Sequence, residues 1–322
     1  MTRFVAPNLA GLPPPPAVEA LDFETILAAR IADLQGRLEA KDLSAVAALL
    51  VLESEPLTIA QQTGANFELV IRQRINDAVR SNLIASATGA DLDQLVATFY
   101  GVERLVLVAE DLDADPPVPA VLEKDDDFRA RAVLSLEARS TAGPEGAYVY
   151  FALSADPDVL DVACYGEEDD AVYAGSGNPV LAPEVLLVVL SRVGDGEPAD
   201  ELLDTVAAAV NAEEVRPIGD KVTVEPATIT PYAVAGVVKH RRGADPAPLL
   251  AAATAQVQAY CDARRRIGRV VQVLGIGAAM KVTDAEELEL SSPVADIDPG
   301  SKGAAYCTSI TLTAEVVEDD WR

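Results

Sequence analysis

The N-terminal part of the chain carries a helical pattern of hydrophobic and polar positions. Asp22 stands where it can cap a helix, and the apolar residues Leu21 and Ile26 flank it at the spacing of a hydrophobic staple. This arrangement predicts a helix over about Phe23–Leu38. A second, shorter helix is predicted over about Leu43–Leu52, where an apolar run ends in a polar stretch.

A long amphipathic helix is predicted over Pro56–Ala87, with a single glycine as its interruption. If unbroken, it is roughly 45 Å long at 1.5 Å per residue. Its apolar residues recur at a spacing that places them on one face: Phe67, Ile71, Ile75, Ala78 and Val79. A helix this long cannot bury such a stripe fully within a small domain. The first two helices of the same chain and helices of another chain are equally suitable partners for it.

Proline and acidic residues dominate residues 109–127, which predicts an extended linker with a candidate hinge at Asp111–Pro119. Beyond it, helices and strands alternate. Helices are predicted at Pro144–Ser154, Gly194–Ala212, Pro248–Arg264 and Leu274–Met280. Strands are predicted at Val159–Tyr165, Val185–Ser191, Lys221–Glu225, Ile229–His240, Glu287–Leu290 and Tyr306–Val316. The stretch Gly166–Pro183, rich in glycine and acids, is predicted to be a mobile loop.

Together these elements predict an α+β fold, with an N-terminal long-helix bundle region followed by two small α+β domains. The chain of 322 residues is long enough for two or three domains of ordinary size. The predicted divisions are a helical core-bundle region at 1–108, an acidic Pro-rich linker at 109–127, an α+β domain at 128–227 and a C-terminal α+β domain with an acidic tail at 228–322.

Charge excludes one class of partner. The chain has 25 basic and 52 acidic residues, which gives a net charge of −27. A field of this sign repels phosphate backbones, so we expect no nucleic-acid partner. The acidic residues fit a well-solvated surface, and adaptation to a salt-rich habitat is the alternative.

Hydropathy excludes an integral membrane protein. The longest apolar run, Ala45–Leu52, has eight residues, whereas a membrane-spanning helix needs about 18 to 20. The N-terminus also lacks the apolar core of a secretory signal. We therefore expect no membrane span, and a chain that stays in the cytoplasm where it is made.

Motifs for cofactors and metals are weak. Cys164, Cys261 and Cys307 lie far apart and form no CxxC pair, which predicts small buried residues rather than a zinc or redox site. The single histidine, His240, lies beside cations at a predicted strand end and is expected at the surface. Gly275–Met280 resembles a dinucleotide-binding loop but has methionine in place of its final glycine or alanine. We therefore expect no cofactor.

Two groups of carboxylates remain as candidates for chemistry, Asp91 with Asp93 and the run Asp125–Asp127. Neither has the ligand spacing of an EF-hand. Asp91 is better explained as the N-cap of a helix that follows a stop at Gly89. The run Asp125–Asp127 is better explained as the acidic first turn of another helix. A carboxylate-dependent hydrolase or metal-binding enzyme is thus the alternative function.

Several stretches follow one another in a fixed order along most of the chain, from about Pro13 to Val316. They are Leu21–Glu24, Ile71–Ala78, Ala87–Asp93, Ser140–Tyr148, Ala152–Pro157, Val189–Gly196, Val215–Asp220 and Ala304–Leu312. Together they resemble the baseplate assembly protein J family of contractile-tailed phages. The sequence departs from the family pattern at Asp111–Asp115 and at Gly166–Pro183, which affects local loop contacts rather than the fold.

The resemblance implies a structural role in the virion, as a subunit of a tail baseplate wedge, and no enzymatic activity. Such a subunit is expected to join a second copy of itself and a companion wedge protein through N-terminal helices that form a core bundle. More C-terminal domains are expected to link neighbouring wedges into a ring around the tail hub, with hub and sheath-adaptor proteins as further partners. The resemblance further implies that the ring is assembled in the host bacterial cytoplasm and transmits the contraction signal.

Under this resemblance the long helix supplies the candidate contacts of the core bundle. The apolar candidates are Phe67, Val70, Ile71, Ile75 and Val79. Arg72 and Arg74 lie in the same family-like stretch. Two roles are open for these arginines, which are pairing with acids of the bundle and forming part of a solvated face.

Overall fold

The computed structural model describes residues 9, 12–140, 142–166, 169, 183–241 and 245–317. The chain divides into two compact units. The first, here called the helical unit, contains Pro7–Arg104 and Lys124–Ala130. The second, here called the sheet unit, contains Leu105–Glu123 and Arg131–Arg322. Helices followed by small mixed sheets with helices confirm the predicted α+β class, and no helix in the described ranges is both long and apolar enough to cross a membrane.

The helical unit begins with the helix predicted from its cap. The Asp22 carboxylate accepts a hydrogen bond from the Thr25 N–H at 2.8 Å and starts α1. The helices of this unit are α1 (Phe23–Glu39), α2 (Ser44–Ala47), α3 (Pro56–Ser81), α4 (Gly89–Tyr100) and the first residues of α5 (Asp125–Leu134). The predicted second helix is shorter than expected, because a 3-10 turn at Ala48–Val51 follows α2.

Two expectations about helix ends were wrong. The long helix ends at Ser81 rather than at Ala87. At this end the side-chain amide of Asn82 donates to the Ala78 carbonyl at 2.8 Å. The next helix starts at Gly89, with Thr88 in the N-cap position. Asp91 is therefore not the cap but an acid of the first turn, where its charge still complements the helix dipole.

One hydrophobic cluster of the helical unit is formed by α1 and α3. Ile26 and Leu27 of α1 and Ala65 of α3 are buried, and Phe23, Ile31 and Leu69 pack around them. The small Ala65 side chain lets the two helices approach closely. An ion pair between Arg30 and Glu68, at 3.0 Å, lies beside this contact.

Asn76 fastens the segment before α1 to α3. Its side chain is buried, and its amide accepts from the Glu19 N–H at 3.0 Å and donates to the Glu19 carbonyl at 2.8 Å. The amide thus bonds to both the backbone N–H and the backbone C=O of Glu19, as the backbone of a neighbouring strand would. A buried amide that loses such partners leaves polar groups unsatisfied, which is costly.

We predict that Asn76→Leu, which keeps the side-chain size, lowers the free energy of unfolding by about 1–3 kcal/mol, because the Glu19 backbone groups lose their partners. Urea unfolding followed by circular dichroism measures this change. Gln73→Leu, an exposed position of the same helix, is the control and should change stability by about 0.5 kcal/mol or less. Equal stability of the two variants would contradict the proposed tether.

The sheet unit begins with a short hairpin. Its strands β1 (Val106–Val108) and β2 (Val121–Leu122) pair antiparallel, and Asp111 and Val118 form a bridge between them. The acidic segment therefore folds back on itself instead of extending, because backbone pairing outweighs the self-repulsion of its acids. Its assignment as a boundary, like the other domain divisions inferred from the sequence, stays a prediction.

A buried ion pair lies directly behind this hairpin. The Glu123 carboxylate accepts from the Leu105 N–H at 3.2 Å and from two nitrogens of the Arg131 guanidinium, at 3.0 and 2.6 Å. Both side chains are 5% exposed. Removing one partner of such a pair leaves an uncompensated buried charge, so the pair fixes β2 to α5.

The first sheet of this unit is buried on both faces. It contains β3 (Val159–Tyr165), β4 (Glu184–Ser191) and β5 (Lys221–Pro226), with β4 antiparallel to β3 and parallel to β5. Helices α6 (Glu145–Ala155) and α7 (Asp200–Val210) pack on one face. The other face packs against Ile267 and Ala304. Burial on both sides explains why β3 and β4 read as nearly continuous apolar runs.

The second sheet is open on one face. It contains β6 (Thr228–His240), β7 (Ala285–Ser292) and β8 (Gly303–Val316) in the order β7-β6-β8, with β6 parallel to β8 and antiparallel to β7. Helices α8 (Pro246–Arg264) and α9 (Val273–Met280) form a core with it. The opposite face carries Ser and Thr side chains of β8, which are exposed.

The two sheets are joined by hydrogen bonds. The Asp161 carboxylate of β3 accepts from the Ile267 N–H at 2.8 Å, and the Tyr165 hydroxyl donates to the Ser301 carbonyl. The Arg265 guanidinium donates to the Gly194 carbonyl at 2.9 Å. These bonds connect β3, the turn after β4 and the ends of α8 and β8.

Three further expectations differ from the structure. The helix predicted from Gly194 begins at Asp200, because Gly194 and Gly196 adopt positive φ angles of 61° and 113° in a turn. His240 is 4% exposed rather than at the surface, and its ring contacts the Arg241 carbonyl. Of the three cysteines expected to be buried, Cys307 is only half-buried. Most of the predicted loop at Gly166–Pro183 lies outside the described residues.

Candidate functional site

The face of α3 predicted to carry partner contacts is exposed. Phe67 is 64% exposed, Val70 58%, Ile71 60% and Ile75 55%, while Val79 is half-buried. Because successive helical residues are about 100° apart, these positions form a single stripe along the helix. Exposed side chains of this size on one stripe are typical of an interaction surface. We call Phe67, Val70, Ile71, Ile75 and Val79 the α3 stripe.

Helix α1 packs on the other side of α3. Its contacts are with Ala65 and Leu69, and Asn76, which bonds to Glu19, lies on the same side. These three positions lie roughly 125–165° from the centre of the stripe. The region after α2 contacts the start of α3, where Thr58 donates to the Leu50 carbonyl. The described helices of this unit therefore leave the stripe uncovered, which removes one of the two coverings that the sequence left open.

The two arginines of this region have different environments. Arg72 donates to Glu68 and to Glu19, both at 2.8 Å, so it belongs to the α1 side of the helix. These two carboxylates raise the pKa of Arg72. Arg74 is exposed within the stripe and forms no ion pair with any described residue. Only Arg74 is thus available to a carboxylate of a partner.

One exposed aromatic residue was missed by sequence reasoning. Phe99 of α4 is 71% exposed, although Leu92 and Val96 of the same helix are buried. The spacing of the three residues matches one face of a helix and predicts burial for all of them. Phe99 lies in the last turn of α4, beyond the part of the helix that the core covers, and no signal in the sequence distinguishes it.

Arginines pair with three of the five candidate carboxylates, Asp93, Asp125 and Asp126. Arg104 bonds to Asp93 and to Asp125, each at 2.7 Å, and its guanidinium lies 4.7 Å from the centre of the Phe128 ring. Arg129 bonds to Asp126 at 2.6 Å. The Arg104 contacts join α4 to α5, and the Arg129 contact lies within α5, so Asp93, Asp125 and Asp126 have a structural role.

The surroundings of Asp125 shift the pKa of its carboxyl group. Partial burial disfavours its charged form, but the Gly89 N–H and the Arg104 guanidinium outweigh this effect and lower the pKa of the Asp125 carboxyl. Among the described residues, no group of three His, Cys, Asp or Glu side chains is arranged to hold a metal ion. The arrangement around Asp125 therefore fastens two helices and offers no free general acid or base.

Comparisons with known proteins identify the family. A family model described as the Baseplate J-like N-terminal domain matches residues 53–111, and one described as the Baseplate J-like central domain matches residues 140–226. Baseplate protein J of Escherichia phage P2 is 39% identical over 301 residues, which cover 94% of this chain and 95% of that protein. The chain belongs to the baseplate J family.

Membership of the baseplate J family confirms the resemblance inferred from the sequence. Baseplate J-like proteins are structural components of the phage tail baseplate and are not enzymes, so this chain is a virion protein of the tail. Other baseplate proteins are its partners. The N-terminal family match includes the whole of α3 and α4, and hence the stripe and Phe99.

We predict that acid weakens the helical unit through Asp125. The lowered pKa means that its stabilising effect is fully present above about pH 4, the ordinary pKa of aspartate, and is lost as the pH falls through the lower folded value. Asp125→Asn should therefore destabilise the chain by about 1–3 kcal/mol at pH 7 and by progressively less below about pH 4. Unfolding measured from pH 7 to pH 2 tests this.

The control for this experiment is Asp126→Asn. The Asp126 side chain is 89% exposed, and such an exposed ion pair contributes about 1 kcal/mol at most. A stability difference between wild type and Asp125→Asn that stays constant from pH 7 to pH 2 would contradict the assigned role of the carboxylate charge.

Proposed function

We propose that this chain is a wedge subunit of the baseplate, which assembles with a second copy of itself and a companion wedge protein through the α3 stripe. The single observation that supports this most directly is the stripe itself, four of whose five side chains are more than half exposed. No described helix covers them. A core bundle of α3 helices would bury them against apolar side chains of the partners.

The hydrophobic effect supplies the driving force in this proposal. Full burial of a Val, Ile or Phe side chain stabilises by about 1.5–3 kcal/mol, and four of the five stripe residues have more than half of that surface still to bury. Burial of several such side chains from each copy offsets the entropy lost when the chains associate. The apolar stripe therefore provides an adequate core for an interface, with polar residues at its rim.

Charge favours a specific alignment of the bundle. A chain with a net charge of −27 repels its own copies at long range. Arg74 lies within the stripe and has no ionic partner among the described residues, so it is suited to meet a carboxylate of a neighbouring helix. Arg72, already bonded to Glu68 and Glu19, would keep a role within the chain.

The sheet unit has a second role in this proposal. We infer that it links neighbouring wedges into the ring around the hub, contacts hub and sheath-adaptor proteins, and transmits the contraction signal. Its exposed apolar side chains support such contacts: Ile218 after α7 and Val294 after β7. The hairpin around Asp111 and Val118 remains the candidate hinge for this movement.

We predict that Ile71→Glu weakens assembly at least tenfold, because it places a charge at the centre of the α3 stripe. Native mass spectrometry of the chain, coexpressed with the candidate companion wedge protein, should show two copies of this chain with one companion for the wild type. The variant should leave the chain folded, since Ile71 is already exposed.

A matched control separates this effect from a general effect of added charge. Leu274→Glu introduces the same change at an apolar residue of α9 that is 86% exposed. This variant should retain the complex. Equal complex formation by Ile71→Glu and Leu274→Glu would contradict the role of the stripe, as would a wild-type chain that does not bind the companion.

A further inference from the structure

One edge of the second sheet is unpaired. β8 forms hydrogen bonds with β6 along one side, and it stands at the end of the strand order β7-β6-β8. The Val317 N–H donates to the His240 carbonyl of β6. Since backbone groups alternate in direction along a strand, Thr311 and Thr313 also face β6, whereas Ile310, Leu312 and Ala314 direct their N–H and C=O groups away from it.

No described residue bonds to these outward backbone groups. The first part of the edge is occupied, because the Gly268 N–H donates to the Gly303 carbonyl at 2.8 Å, and Ala304 is buried against the first sheet. From Ile310 to Val316 the described chain supplies no backbone or side-chain partner on that side. The second half of β8 is therefore a free edge.

The free edge also lacks the features that usually prevent edge pairing. Natural edge strands are kept apart by charges, prolines or short length. On the opposite edge, β7 carries Glu286, Glu287 and Glu289. In the first sheet, the edge strand β5 has six residues and ends in proline. β8 has 14 residues, and none from Gly303 to Ala314 is charged or a proline.

We propose that the free edge of β8 pairs antiparallel with β8 of a second copy of this chain, around a two-fold axis at Leu312. The sequence Ile310-Thr311-Leu312-Thr313-Ala314 reads nearly the same in both directions. Leu312 then lies opposite Leu312 of the second copy and exchanges both outward hydrogen bonds with it. Ile310 does the same with Ala314, and a continuous sheet runs through both copies.

The two faces of the strand agree with this register. Ile310 and Leu312 pack on the side of the α8 core, and Thr311 and Thr313 are exposed on the other side. A two-fold axis perpendicular to the sheet keeps each face on its own side. Apolar side chains therefore meet apolar ones, and Thr311 lies opposite Thr313 of the second copy, a favourable cross-strand pair.

Charge favours an antiparallel over a parallel pair at the free edge of β8. It also favours a second copy of this chain as the source of the partner strand. In a parallel pair in register, Glu315 would lie beside Glu315 of the second copy. In the antiparallel pair Glu315 lies beside Ser309, which can donate a hydrogen bond to it. The uncharged segment from Gly303 to Ala314 also suits contact between two molecules of net charge −27, because the antiparallel pair brings no like charges of β8 together.

The β8 contact would provide a specific link between copies of this chain. It rests on the proposed function in one respect, which is that two copies must meet in the baseplate. It does not depend on the α3 stripe. The two interfaces lie on different elements, so each can be disabled separately.

The test compares two double variants of the full chain in a background of Ile71→Glu, which removes the α3 contact. Thr311→Lys with Thr313→Glu places opposite charges across the two-fold axis, whereas Thr311→Lys with Thr313→Lys places like charges there. Both changes are at exposed positions, so circular dichroism should be the same. Sedimentation at physiological ionic strength measures dimerisation, which should be at least tenfold weaker for the Lys/Lys variant than for the Lys/Glu variant.

Two results would overturn the inference: equal dimerisation of the two variants, or monomers for both at the highest soluble concentration. A second measurement determines the register of the β8 pair in a chain that keeps the wild-type Ile71. Directly opposite residues of a non-hydrogen-bonded antiparallel pair have Cα atoms about 4.5 Å apart, within disulfide range. Thr311→Cys with Thr313→Cys should therefore cross-link two copies under mild oxidation, and Thr311→Cys alone should not.

The cross-link also separates this inference from the proposed function. A cross-linked pair in a chain that binds no companion wedge protein would support the β8 contact and contradict the wedge assembly. A wild-type complex of normal composition without the cross-link would support the wedge assembly and contradict the β8 contact.

Discussion

Apolar surface on both sides of α3 is the constraint on which the rest of the helical unit depends. One side packs against α1 at Ala65 and Leu69, and the other exposes Phe67 and Ile71. Burying one side fixes the helix in place, and leaving the other exposed keeps part of its hydrophobic free energy for association. The buried amide of Asn76 and the arginine contacts at Arg104 hold the surrounding segments without covering the stripe. The local structure thus supports the helix and leaves its second face exposed.

Three arginines of this acidic chain stabilise the fold by pairing with carboxylates. Arg104 pairs with Asp93 of α4 and with Asp125 of α5. Arg129 is buried and donates to the Ala87 carbonyl, and Arg131 is buried against Glu123. Their pairing gives a structural role to acids that would otherwise suggest catalysis, and at Asp125 the Arg104 guanidinium helps to lower the pKa of the carboxyl. The remaining acids lie mostly at the surface, where their repulsion disfavours contact between copies through acidic surfaces.

The two sheets of the sheet unit differ in how much of their surface is buried. β3 and β4 are apolar on both faces because helices cover one face and the second sheet the other. The second sheet has one covered face and one open face, and its strand order leaves β8 at an edge. A fold can hide every face of a central sheet, but it leaves edges wherever the strand order ends, and those edges are natural sites for contact with other chains.

The sequence by itself determined the α+β class, the positions of most elements and the family. Asp22 placed the start of α1, and the apolar run at Val159–Tyr165 placed β3, because caps and periodicity act over a few residues. The apolar stripe of α3 was also visible from spacing, but its exposure was not, since two coverings satisfied the pattern equally. Only the tertiary structure decided that α1 packs on the opposite face, that Asp91 is not a cap and that His240 is buried. These outcomes depend on which distant segments meet, and a local pattern contains no information about those contacts.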